Sequence, residues 1–225
     1  MDRHQTLGER VYHEILRRVV DGRLPIGSKL DENELAATLN VSRTPVREAI
    51  TKLIGNGLLV YQPYRGNSIR SFTAKEAFDL YEVRKLLEMH AVRLATTLAT
   101  PQSIAGLRQA IAAVDTALQE GDLVAYSLAD QHFHNELAQR SRNKTLIETL
   151  EHLQGQIQLI RVIANRDPSV LEITAMERPT IIDAMAEGNA ELAAQLMEEH
   201  ISLVQERVTR VLQELETAST ATPAS

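Results

Sequence analysis

The sequence predicts a mainly α-helical protein, with a small N-terminal head of three helices and a hairpin followed by a larger antiparallel all-α bundle. Three observations carry this. Apolar residues recur at helical spacing along most of the 225 residues, and 44% of the chain is hydrophobic while only 4% is aromatic. Turn-forming residues gather between the periodic stretches, with one hairpin-like interruption near residues 58–70. Charge divides at Ser71: residues 1–71 carry 11 Lys/Arg against 8 Asp/Glu, and the remainder 13 against 22, so a head of +3 precedes a body of −9.

In the head, Leu7, Val11, Ile15, Leu16 and Val19 share one face and predict a first helix over about 6–21. Asp21-Gly22-Arg23-Leu24-Pro25 ends it, because Gly admits a left-handed residue and Pro cannot continue a helix. Asp31 followed by Glu34 has capping-box spacing and starts a second helix ending near Leu39. Asn40 then falls where a tight inter-helix turn needs a positive φ. A third helix, about 42–56, follows with Ser42 as its cap and Pro45 in its first turn, where a missing N–H costs little. Val46, Ile50 and Leu53 form its apolar back. Arg43 and Arg47, four apart, share another face near its N-terminus. Two guanidinium groups so placed suit guanine N7 and O6 in a DNA major groove. Lys52, further along, reads as a phosphate or solvent contact. Leu58-Leu59-Val60-Tyr61 and Asn67-Ser68-Ile69-Arg70 bracket a polar tip, giving a wing whose Arg65, followed by Gly66, suits a minor groove.

In the body, punctuation at Thr100-Pro101, Gly121-Asp122, Ser141-Arg142-Asn143, Asp167-Pro168 and Gly188-Asn189 marks six helices, about 74–99, 102–120, 122–140, 144–165, 169–187 and 189–216. Short connections make them antiparallel neighbours. Pro179 should kink the fifth. Residues 217–225 read as a disordered tail. The domains are therefore 1–71, 72–216 and the tail. Asp130 and His134, at i and i+4, can chelate one divalent ion, with His200 as a third ligand. His132 points about 200° away from both and stays outside; His4, His13, His90 and His152 show no partner pattern. Tyr81 and Tyr126 read as core residues, with lining of a polar cavity as the alternative.

The absence of Cys excludes disulfides and thiolate chemistry and points to a reducing, cytoplasmic setting. No apolar run approaches the roughly 20 residues of a membrane span. Met1-Asp2-Arg3-His4-Gln5 leads into an amphipathic stretch and not into a secretory signal core.

Glu34-Leu35-Ala36, Val41 to Ala49, Gly57-Leu58 and Gly66 closely resemble the winged helix-turn-helix of the GntR family of bacterial transcription regulators. The resemblance implies DNA contacts from Ser42, Arg43, Thr44, Arg47, Arg65 and Gly66. Asn33 departs from it, standing where the family usually carries Arg. Asp130-Gln131-His132-Phe133-His134, Asn143, Gly188-Asn189, Met197 and His200 resemble the all-helical FCD-type effector domain of the FadR subgroup, in its six-helix form. That implies a small carboxylate effector beside one metal ion (zinc, nickel or manganese) held by one Asp and three His. Asp130, His134 and His200 match three of those ligands. Arg178 stands in place of the fourth, and a guanidinium cannot ligate a cation. Two readings stay open: three residues plus water or effector hold the metal, or Arg178 clamps the carboxylate itself. Arg84 matches an arginine the family aims into the same cavity.

The expectation is a homodimeric regulator, a repressor, binding a palindromic double-stranded operator under control of a small organic acid. The alternatives are a metal-dependent hydrolase or lyase using Asp130, His134 and His200, and a structural DNA-binding protein without an effector. No base or nucleophile is set apart by a recognisable motif, so a non-enzyme is expected.

Overall fold

The computed structural model describes residues 6–165 and 168–221. The chain divides into two compact units, one of residues 1–71 with 152–159 and one of residues 72–151 with 160–225.

In the first unit the elements are α1 (Leu7–Val20), β1 (Lys29–Leu30), α2 (Glu32–Leu39), α3 (Arg43–Gly55), β2 (Leu59–Gln62) and β3 (Gly66–Ile69). A full capping box between Thr6 and Glu9 starts α1. Asp31 caps α2 through its carboxylate, which accepts from the Asn33 and Glu34 amides, with no reciprocal bond from Glu34. Asn40 ends α2 in the left-handed conformation at φ 52°, as the tight turn requires. Val11, Ile15, Leu16 and Val19 bury against Val46, Ala49, Ile50 and Leu53, so the apolar backs of α1 and α3 make the core. The wing is richer than the predicted hairpin: β1 joins it, giving an antiparallel sheet of order β1-β3-β2 with Lys29 opposite Ser68 and Leu59 opposite Ile69. Two residues are too few to leave a periodic signal, which is why the sequence pattern does not reveal β1.

The second unit carries α4 (Ala74–Thr97), α5 (Pro101–Gln119), α6 (Leu123–Arg140), α7 (Lys144–Ala164), α8 (Pro168–Ala186) and α9 (Ala190–Ala221), residues 152–159 of α7 grouping with the first unit. Capping boxes at Thr73 with Glu76 and at Thr100 with Ser103 start α4 and α5. Asp122 and Asn143 cap α6 and α7 through their side chains. α4 lies along α9, α5 packs on α6 and α8, and α8 on α9. Met185, Ala193, Ala194, Met197 and Ile201 are buried in this packing. Pro179 lies inside α8. The predicted tail begins too early. Residues 217–221 continue α9, and Thr217 Oγ1 donates to the Glu214 carbonyl. Small polar residues lower helix propensity without ending a helix already held by packing upstream. The remaining four residues of the expected tail, 222–225, lie outside the described residues.

Candidate functional site

Two constellations come from residues the sequence singles out. The first is the open face of α3. Ser42, Arg43, Thr44 and Arg47 are all exposed, while Pro45 and Val46 beside them are buried. Ser42 has the extended backbone of an N-cap, but its side chain makes no capping hydrogen bond. The expectation that it caps α3 is corrected to that extent, and its hydroxyl stays available to a phosphate. Arg47 Nε donates to Glu32 Oε2 at 3.1 Å, and Arg43 Nη2 stands 4.0 Å from the same oxygen. Glu32 at the start of α2 thus hydrogen-bonds Arg47 and lies within ion-pair distance of Arg43, a pairing that single-residue spacing does not disclose. Exposed ion pairs of this kind contribute up to about 1 kcal/mol, so an incoming anion or base edge can displace them. At the wing tip Tyr64 has φ 66° and is fully exposed, and Arg65 is exposed beside Gly66 at φ 82°. Lys52 is also exposed, its Nζ 5.0 Å from the ring centre of Tyr12.

The second constellation is a buried charge cluster inside the helical unit. α4 supplies Tyr81, Arg84 and Glu88, α6 supplies Tyr126, Asp130 and His134, α7 supplies Arg161, α8 supplies Thr174 and Arg178, and α9 supplies His200. Arg84 is 2% exposed, Arg178 1% and Asp130 3%, so ordinary solvation is unavailable and each charge must be balanced by protein. Arg178 donates to Asp130 Oδ1 twice, from Nη2 at 2.6 Å and Nε at 3.1 Å, and Nη2 also reaches the Tyr126 hydroxyl at 2.8 Å. Asp130 Oδ2 faces Arg161 Nε at 2.8 Å. Burial pushes the Asp130 pKa up, but Arg161 and then Arg178 overcome it and hold the carboxyl well below its usual range. Arg84 Nε donates to Glu88 Oε1 at 2.6 Å, and Glu88 Oε2 lies 2.5 Å from His134 Nδ1. Burial lowers the His134 pKa to about 4, with Arg84 adding to the effect against Glu88. Burial likewise lowers the pKa of His200, whose Nδ1 lies 2.9 Å from Glu177 Oε2. Both imidazoles are neutral near pH 7.

Arg84, Asp130, His134, Arg178 and His200 therefore share one cluster. Tyr81 and Tyr126 are buried within it too, and Tyr126 is a hydrogen-bonding member and not mere packing. His132, His13, His90 and His152 are exposed and outside it, while His4 lies outside the described residues. Sequence spacing did not indicate Glu88, Arg161, Thr174 or Glu177. Their partners lie 46 residues away for Glu88 on His134 and 23 for Glu177 on His200, and no helical period reports contacts of that kind. The one local signal was Arg84 and Glu88 at i,i+4, which reads as an ordinary surface pair.

The ligand set for a metal ion does not fit this arrangement. His134 Nε2 and Asp130 Oδ1 are 3.8 Å apart, close enough to share an ion. However, both Asp130 oxygens already face guanidinium groups. The rings of His134 and His200 are stacked, 5.6 Å apart and inclined by 26°, so they show each other π faces and not in-plane lone pairs. Arg84 Nη2 stands 3.3 Å from His134 Nε2, the nitrogen that would have to coordinate. Among the described residues no group of three or more His, Asp or Glu side chains is arranged to hold a metal. The expected three-ligand site of Asp130, His134 and His200 is thus replaced by a salt-bridge network, because Arg178 and Arg161 satisfy the carboxylate that an ion would need.

Comparison with known proteins bears on both constellations. Residues 7–69 match the profile described as bacterial regulatory proteins, gntR family, and residues 79–203 match the FCD domain. The Nta operon transcriptional regulator of Aminobacter aminovorans is 40% identical over 139 residues, 61% of this chain and 65% of that protein. The HTH-type transcriptional regulator YdhC of Bacillus subtilis (strain 168) is 30% identical over 205 residues, 90% of this chain and 91% of that protein. A crystal structure of a transcriptional regulator GntR from Rhodococcus sp. RHA1 superposes with a TM-score of 0.75 at 26% identity, covering 89% of this chain and 96% of that one.

Proposed function

We propose, from the premise that this chain belongs to the GntR family of bacterial regulatory proteins and carries an FCD domain, that it is a cytoplasmic repressor released or engaged by a small organic acid. The families and relatives it matches are transcription regulators and not enzymes. No helix among the described residues is long and apolar enough to cross a membrane. The observation that carries the DNA-reading assignment is the α3 face. Its back is buried, its first turns expose Ser42, Arg43, Thr44 and Arg47, and Glu32 hydrogen-bonds Arg47 within ion-pair distance of Arg43. On this reading Arg43 and Arg47 read base edges, Ser42 and Thr44 reach phosphate, and Arg65 beside Gly66 enters the minor groove.

A homodimer would set two such helices about one DNA turn, roughly 34–36 Å, apart on a palindromic operator. The acid would bind at the buried cluster with Arg84 and Arg178, and a ligand favouring one of two conformations shifts the balance between operator-competent and incompetent forms. Selection of duplexes from a random pool tests the proposal. The expected outcome is enrichment of an inverted repeat, with binding that weakens at higher salt as phosphate contacts are lost. Enrichment of no sequence would defeat it.

A further inference from the structure

The buried cluster contains a donor without an acceptor. Arg178 uses Nε and Nη2 on Asp130 and Tyr126, yet its Nη1, fully buried, has no hydrogen-bond partner. The hydroxyl of Tyr81, also fully buried, has none either, and its ring lies 5.0 Å from the Arg84 guanidinium carbon. An unmatched guanidinium N–H in such a place carries a desolvation cost that no partner offsets. Buried polar groups in native proteins are almost always paired, so an unpaired one marks a place where something outside the chain completes it or where strain is stored. Resting on the reading that the helical domain takes an organic acid, we infer that this chain binds a monocarboxylate directly on Arg178 Nη1, without any metal ion, Arg178 supplying the fixed positive charge beside Asp130.

The chemistry restricts the ligand class. Nη1 is one nitrogen with two N–H groups, and its neighbours on the same guanidinium are already engaged, so it can serve one carboxylate and no second. Arg84 and Arg161 are each turned toward a protein carboxylate, Glu88 and Asp130. A di- or tricarboxylate would bring further negative charge into a dry site whose other cations are spoken for. His134 is engaged by Glu88 and Arg84 at its two nitrogens, while His200, with Nδ1 on Glu177, leaves Nε2 to accept from a hydroxyl of the acid without added charge. Arg178 thus holds two positions at once: it blocks the ion by occupying Asp130, and it replaces the ion as the anchor for the acid.

Untagged full-length protein, dialysed against EDTA, tests this by thermal unfolding with acetate, butyrate, octanoate, benzoate, lactate, succinate and citrate, and by metal analysis. Monocarboxylates should raise the midpoint equally with and without EDTA, citrate should not, and wild-type protein exposed to zinc and dialysed should retain far less than one ion per chain. Arg178→Lys keeps a cation on Asp130 but has a single nitrogen and none to spare for the acid, and should bind the effective monocarboxylate at least about tenfold more weakly. Arg178→His frees Asp130 Oδ1 and supplies a third imidazole as the fourth ligand, and should gain about one zinc per chain. Stoichiometric zinc on the wild type, a midpoint shift abolished by EDTA, a shift by succinate or citrate as large as that of any monocarboxylate, no shift by any acid, or no zinc gained by Arg178→His would each overturn the inference. Operator binding by the same preparations reports separately on the DNA-reading assignment, so either can fail alone.

Discussion

Glu88 compensates two buried groups with its two oxygens, Arg84 on one side and His134 on the other. Removing it leaves a guanidinium with 2% exposure and no carboxylate. Glu88→Ala should therefore destabilise the helical unit by roughly 3–5 kcal/mol, read as a lower urea midpoint. A loss below about 1 kcal/mol would mean that water or another carboxylate takes over. On the DNA-reading side the arginines are exposed, so the expected effect is on recognition and not stability. Arg43→Ala or Arg47→Ala should cost roughly 1–3 kcal/mol of base discrimination at one operator position, with an unfolding midpoint close to wild type. Unchanged discrimination in both variants would remove α3 as the reading element. Arg43 and Arg47 could be singled out from sequence because their shared exposed face depends on a spacing of four within one helix. Glu88 could not, since its second partner comes from a different helix 46 residues on.

Elements follow local rules closely in this chain. Thr6, Asp31, Thr73, Thr100, Asp122 and Asn143 all accept backbone amides at helix starts, and those residue types are visible without any structure. Asn40 is the sharpest case. Its φ of 52° joins α2 to α3, where a β-branched side chain would clash. Asn40→Val should lower stability by roughly 1–2 kcal/mol, and Asn40→Gly should stay within about 1 kcal/mol of wild type, both by urea titration. Equal effects of Gly and Val would show that the turn does not depend on the left-handed conformation. Local reasoning was weaker where an element owes its existence to a neighbour. β1 is two residues long and forms only by pairing Lys29 and Leu30 with β3. α9 runs past residue 216 as a continuation of a packed helix, although Thr217, Ser219 and Thr220 are weaker helix formers than the residues before them.

At the scale of the whole molecule, a basic N-terminal segment and an acidic remainder suit a protein that meets phosphate through its first 71 residues. The proposed homodimer predicts a sedimentation mass about twice the 25.1 kDa of one chain. It also predicts half-sites whose centres repeat at about 10 base pairs or a multiple. A monomer that binds a single half-site with full affinity would contradict that arrangement.

The sequence by itself determined the helical fold class and the exposed face of α3 that carries Arg43 and Arg47. Each of these depends on neighbours within a few residues, through helical period, capping and turn chemistry. What the tertiary structure decided was the use to which the interior residues are put. Asp130, His134 and His200 read as metal ligands while only their types and spacing are known. Arg161 from α7 and Arg178 from α8 converge on Asp130 of α6, and a carboxylate between two guanidinium groups in a dry interior has no free charge left for an ion.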